Sequence, residues 1–172
     1  MKSYAIDNKP IMLMKKAIDI FAEGENFHHR MMIYNHLQGF QGHKRWNRLQ
    51  SKEDRCMRIE VENYCIDMFG DSIEPSWDFM IETPKTYHDY LEKYLNWEIK
   101  VYTDITSISN QLVEMNYNCE AGLVGECLPG VRKEIEKIRR WMKEFEIVEG
   151  DKVYLLIKDK ELHDKVKKME EE

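Results

Sequence analysis

Four acidic residues sit where a helical chain would normally place apolar ones. In the segment after Pro84, Tyr87, Leu91, Tyr94, Glu98, Val101, Ile105, Ile108, Leu112 and Met115 recur in steps of three and four, so Glu98 falls midway along a core-facing stripe. Met57, Val61, Tyr64, Cys65 and Met68 mark a second inward face, and stepping back three residues from Met57 reaches Asp54. Ile18, Phe21, Ala22, Met32 and His36 share a face that also carries Glu25, with His28 or His29 a turn later. A fourth stripe through Val124, Cys127, Val131, Ile135, Ile138, Met142 and Phe145 passes beside Glu134. Burying an ionised carboxylate is expensive unless it pairs or binds a cation, and inward acids on several helices are the usual way a bundle builds a metal cage. The donor set of Glu25, Asp54, Glu98, Glu134 and His28, oxygen-rich with one imidazole, suits iron or manganese. The competing reading of each acid is a boundary residue hydrogen-bonded to Tyr or Arg. For Glu25 and Glu134 that reading leads, because a one-position rotation of the helix puts either in solvent.

These stripes need long helices to carry them. The chain has 172 residues, 42% hydrophobic and 34% charged, with only 8 Gly and 4 Pro, a composition that suits long helices better than a turn-rich sheet protein. A first helix is expected over 11–38, ended by Gly39 to Gly42, and a second over Trp46 to Phe69, ended at Gly70-Asp71. Pro75 and Pro84 make Asp71 to Pro84 a long crossover. Thr83-Pro84 reads as the start of the third helix, and Asn116 to Asn118 as its end. A fourth runs from Glu120 to Glu146, with a kink or break at Pro129-Gly130. Beyond Gly150-Asp151, Val153 to Ile157 reads as a solitary strand, and the tail from Lys158 as a charged or frayed helix. The expected architecture is all-α, a four-helix bundle over 1–150 with a short C-terminal extension over 151–172.

A net charge of -6 with its 26 Lys and Arg dispersed argues against a nucleic-acid partner. No segment approaches a membrane span and no signal-peptide core occurs between Met1 and Lys16, so the expected location is the cytoplasm. Cys56, Cys65, Cys119 and Cys127 form no CxxC pair and are expected to be free thiols, mostly buried. The six histidines include no His-Glu-x-x-His, and neither a phosphate loop nor a Gly-x-Ser-x-Gly elbow is present. Trp77-Asp78-Phe79-Met80 in the crossover is expected to cover the bundle, with a partner anchor as the alternative.

One stretch carries a family likeness. Phe40-Gln41-Gly42, Trp46 and Gln50-Ser51-Lys52-Glu53-Asp54 resemble the Phe-x-Gly-x-x-x-Trp-x-x-x-Gln-Ser-x-Glu-Glu run that joins the first two helices of the bacterial non-haem ferritins. The likeness continues through Tyr64 to Phe69, the crossover ending at Thr83-Pro84, and Trp97-Glu98-Ile99-Lys100-Val101, and covers roughly 20–145. It implies a ferritin-like four-helix bundle with a long crossover between helices two and three, iron as cofactor, and a homo-oligomer or protein partner. It also implies a depleted centre. The family's second-helix Glu-x-x-His becomes Asp54-Arg55-Cys56-Met57, its third-helix Glu is Glu98, and its fourth-helix Gln falls near Val131. Glu134 stands where some members carry a further iron-binding acid; the first-helix Glu is Phe21 by ungapped alignment and Glu25 after a one-turn shift. The resemblance thus implies iron binding with weakened or lost ferroxidase activity. The alternative is a catalytically dead scaffold acting as a protein-binding or structural subunit.

Overall fold

The computed structural model describes residues 8–70 and 72–171, and contains no β-strand among them. Six helices follow in order: α1 (Asn8–Gln38), α2 (Gln41–Phe69), α3 (Tyr87–Glu114), α4 (Asn118–Gly125), α5 (Leu128–Ile147) and α6 (Lys152–Glu171). α1 and α2 form the closest pair, joined through Gly39, whose φ of 86° lets the chain reverse between two helices only two residues apart. α3 packs on α1 and on both parts of the fourth helical segment. The core between them holds Met14, Ile18, Phe21, Met31, Val61, Leu91, Ile105, Leu112 and Ile138.

Several expected boundaries move, each for a local reason. α2 starts at Gln41 rather than Trp46, with its first turn capped from another helix, as described below. α3 starts three residues past Thr83-Pro84, at Tyr87. Thr86 takes the N-cap by accepting the Asp89 N–H at 3.1 Å, while the Asp89 carboxylate accepts the Lys85 N–H at 2.7 Å. Pro84 is instead a buried anchor just outside the helix. The break in the fourth segment falls at Glu126–Cys127, so that Pro129 sits in the first turn of α5, where its missing N–H leaves no hydrogen bond unmade. Asp71, expected to follow the stop of helix two, lies outside the described residues; the stop itself is Gly70, left-handed at φ 68°.

The crossover is fastened to α1: Asp19 accepts the Ser76 N–H at 2.7 Å, and Lys15 Nζ donates to the Glu74 carbonyl at 3.1 Å. Ile73 and Pro84 do the burying there. Trp77 remains 57% exposed and Met80 97% exposed, so these two do not cover the bundle as expected; Trp77 lies under the Arg58 guanidinium at 5.1 Å. The cysteines also depart from expectation. Only Cys65 is fully buried, Cys127 is half-buried, and Cys56 and Cys119 are exposed.

The segment from Val153, expected to be a strand, is the first turn of α6. Asp151 caps it by accepting the Tyr154 N–H at 2.9 Å, and the inward residues Leu155, Asp159, Leu162 and Val166 recur at helical, not alternate, spacing. α6 lies against α2. Its Asp159 is 3% exposed and caps the start of α2: Oδ2 accepts the Gly42 N–H at 2.8 Å, while Oδ1 accepts the His43 N–H at 2.8 Å and the His43 Nδ1–H at 2.7 Å. A Cβ on Gly42 would run into the Asp159 backbone, so only glycine allows α6 this close. Burial pushes the Asp159 carboxyl up, but the bonds from His43 and the two N–H groups outweigh it and hold it below the ordinary aspartate value.

Asp159→Ala therefore leaves three buried donors without an acceptor and is expected to cost about 3 kcal/mol in urea unfolding. Because the folded value is depressed, the contribution of Asp159 is present above the unfolded aspartate range near pH ~4 and is lost as pH falls through the lower folded value. The difference in midpoint between wild type and variant should shrink on acidification below that range.

Candidate functional site

The bundle centre is a polar cluster on four helices that opens on a cleft of about 800 Å3 between α2, α3 and α5. His28, on α1, is 2% exposed, and its two ring nitrogens face different partners. Nδ1 lies 3.2 Å from Asn47 Oδ1. The amide orientation is fixed, because Asn47 Nδ2 donates to the His43 carbonyl and to the Tyr90 hydroxyl, both at 2.9 Å. Asn47 Oδ1 is therefore the acceptor, and Nδ1 carries a proton. Nε2 points the other way, 3.4 Å from Glu98 Oε1 and 3.6 Å from Asp54 Oδ2.

These carboxyls titrate abnormally. Burial pushes Asp54 up to about 7; His28 pulls against that, and neighbouring Glu98, Glu53 and Glu25 add to it. Glu98, 4% exposed, is raised first by burial, with His28 opposing. His28 itself is raised: burial lowers it, but Glu98 and Asp54 together outweigh that. The three groups thus share protons as a unit, with imidazolium favoured beside the two carboxyls. Asp54 keeps a quarter of its side chain exposed, yet its Oδ2 is buried and has no hydrogen-bond partner. That oxygen lies over Gly24 on α1, where a Cβ would stand 2.5 Å from it and 3.3 Å from Trp97. Glycine at position 24 makes the space that Asp54 fills.

Glu134, 8% exposed, forms a second focus. Its Oε2 accepts from Trp46 Nε1 at 3.1 Å and from the Tyr94 hydroxyl at 3.4 Å, and its Oε1 accepts from Lys137 Nζ at 2.7 Å. The same ammonium lies over the Trp46 ring at 3.4 Å. Burial lowers the Lys137 value and Glu134 opposes that shift. Tyr94 is raised well above the ordinary phenol range by burial and then by Glu134 and Glu98, so it remains a neutral donor. Glu25 has a cation of its own: Arg58 Nη2 pairs with it at 3.3 Å while Arg58 Nη1 holds Glu62 at 2.7 Å.

Of the five residues read from the sequence, His28, Asp54 and Glu98 meet at one point, Glu134 sits at a neighbouring one with its own lysine, and Glu25, near enough to raise Asp54, is paired with Arg58. Among the described residues, no group of three or more His, Cys, Asp or Glu side chains is arranged to hold a metal ion. Met57 and Val131 line the cleft beside the acids, and Cys127 there has its thiol pushed up to about 12 by burial. Sequence reasoning missed Asn47, Gly24 and Lys137. The signal for Lys137 was present, three residues after Glu134 on the same helix face; for Gly24 and Asn47 no local pattern exists, since their roles arise only where α1 meets α2.

No protein-family profile and no curated protein matches the sequence. Solved structures do. The open-pore ferritin of the hyperthermophilic archaeon Archaeoglobus fulgidus superposes with a TM-score of 0.82 at 16% identity, covering 92% of this chain and 96% of that one. A closed form engineered from the same ferritin gives 0.81 at 15% identity over 92% and 97%, and a humanized archaeal ferritin gives 0.82 at 17% identity over 92% and 98%.

Lys137→Met is expected to cost about 2 kcal/mol, since it strands a buried carboxylate, and Lys137→Met combined with Glu134→Gln is expected to recover most of that loss. Urea unfolding of the two single variants and the double variant measures the coupling. Additive losses would mean that the pair does not hold this part of the core. At 15–17% identity the likeness to solved structures concerns architecture, and on that ground the chain has the ferritin-like fold.

Proposed function

We propose that this chain is a ferritin-like scaffold whose centre is neutralised by the chain's own cations, and that it works as a protein-binding or structural subunit rather than as an iron oxidase. The observation that carries this reading is the Lys137 ammonium 2.7 Å from Glu134, wedged against Trp46 where a second metal would need open coordination positions. The residues present do not fit a two-metal centre. Met57 stands where the bacterial ferritin motif has an imidazole, and Val131 supplies no donor atom. Glu134 already has three hydrogen-bond donors, and Glu25 is committed to Arg58. With Gly24 under Asp54, the first helix offers no carboxylate at that point of the cluster.

A second reading, an iron-binding protein with reduced oxidase activity, is favoured by one observation. Asp54 Oδ2 is buried with no hydrogen-bond partner, close to Glu98 and to a histidine whose other nitrogen is already oriented by Asn47. A cation that displaced the His28 proton would find two carboxyls and one imidazole there. The iron of the bacterial family belongs to this reading, as does a cytoplasmic location; no described helix is long and apolar enough to cross a membrane.

Anaerobic titration of the purified chain with ferrous iron separates the two. The scaffold reading expects no stoichiometric heat and no change in melting temperature with iron, for wild type and Glu98→Ala alike. Binding near one iron per chain that disappears in Glu98→Ala would overturn it in favour of the second reading.

A further inference from the structure

Helix α2 begins with the wrong charges for its backbone. Its first turn holds no acid, and Lys44, Arg45 and Arg48 bring positive charge to the end where the helix dipole favours anions. Gln41, Lys44, Arg45 and Arg48 are spaced i, i+3, i+4 and i+7, so they share one face, with Lys44 and Arg48 as like charges one turn apart. With His163 of α6 they line a pocket of about 250 Å3, and no acid is among its lining residues. One carboxylate reaches these cations among the described residues. Glu170, near the end of α6, accepts from Arg45 Nε with one oxygen and from Arg48 Nη2 at 2.9 Å with the other. Lys44 forms no ion pair among the described residues, and Arg45 Nη1 faces the His163 ring, 3.5 Å from Nε2. Asp164 lies 3.5 Å from the other ring nitrogen, Nδ1. Three cations against one carboxylate leave two positive charges unanswered.

We infer that this pocket binds a doubly charged oxyanion of the phosphate class. Each arginine gives one N–H to Glu170 and keeps further N–H groups unused. The planar fork of a guanidinium suits phosphate oxygens, and the Lys44 ammonium adds a point charge beside it. A tetrahedral phosphate offers acceptor oxygens in several directions and carries close to two negative charges, which match the two positive charges left over. A carboxylate would answer only one of them. The site uses none of His28, Asp54, Glu98, Glu134 or Lys137. It therefore goes beyond the scaffold reading and holds whatever the bundle centre binds.

Amide chemical shifts of the isotope-labelled full chain, followed by NMR, test it. Inorganic phosphate is added at about pH 8, where it is doubly charged, and compared with sodium chloride titrated to the same ionic strength. Phosphate is expected to give saturating shifts confined to residues 41–48 and to the turn of α6 around His163, with a dissociation constant of about 1 mM. Arg48→Gln and Lys44→Gln should each weaken binding about tenfold, and Glu170→Gln should tighten it about fivefold by releasing both arginines. Arg139→Gln, at an exposed site on α5, makes the same change in net charge as Arg48→Gln and should leave binding as it is. If glycerol phosphate binds as well, the site takes phosphomonoesters; if it does not, the site takes the free ion. Phosphate shifts that never saturate, that chloride reproduces, or that spread to cations elsewhere would overturn the proposal. So would an Arg139→Gln variant as weakened as Arg48→Gln, or a Glu170→Gln variant that binds no tighter. None of these outcomes bears on the iron titration, which reads a different set of residues.

Discussion

The constraint on which this fold turns is the need to neutralise acids inside a helical core. Glu98 and Glu134 are both buried, and a bare carboxylate at that depth is costly. Each is matched by a cation that the chain itself delivers: the His28 ring from α1, and the Lys137 ammonium from one turn further along α5. These pairings set the rotation of the helices. α1 must present His28 inward, and Asn47 on α2 must be turned to orient the ring, which in turn fixes Tyr90 on α3 through the same amide. The aromatic residues then fill around the polar centre, Tyr94 and Trp46 donating to Glu134 while their rings close off the core. Geometry and charge balance are one problem here.

A second polar junction does the same work at one end of the bundle. The N-terminus of α2 needs acceptors for its first N–H groups and is buried by α6, so Asp159 supplies both oxygens and holds His43 as well. Glu170, near the end of α6, pairs with Arg45 and Arg48 of α2. These contacts explain why a charged C-terminal tail becomes a packed helix instead of fraying.

How much of this the sequence carried depended on whether the cause was local. The long helices, the crossover and the ferritin-like bundle were legible because periodic stripes and Gly or Pro stops act over a few residues. Glu98 was legible as an inward acid for the same reason. Val153 to Ile157 was misread because an apolar run this short satisfies both helical and strand spacing, and the deciding contact, Asp159 on Gly42, is 117 residues away in the chain. Glu25 and His28 lie less than one turn apart, so no stripe could say which of them reaches the centre; Arg58, on another helix, takes Glu25 as its partner. The start of α3 was missed because Thr83-Pro84 and Thr86-x-x-Asp89 both make good starts, and the hydrogen bonds of the second, Asp89 N–H to Thr86 and Lys85 N–H to the Asp89 carboxylate, decide. What lies over Gly24 is a matter of how two helices approach each other, for which one sequence holds no record.

The most direct test of the claim that the chain neutralises its own core is crystallographic. Crystals soaked anaerobically in ferrous or manganous salt, with data collected at the metal absorption edge, report both where metal binds and where Lys137 points. The account predicts no anomalous peak within reach of Asp54, Glu98 or Glu134, with the Lys137 ammonium still on Glu134. A peak bridging Glu98 and Glu134, with Lys137 displaced into the cleft, would contradict it.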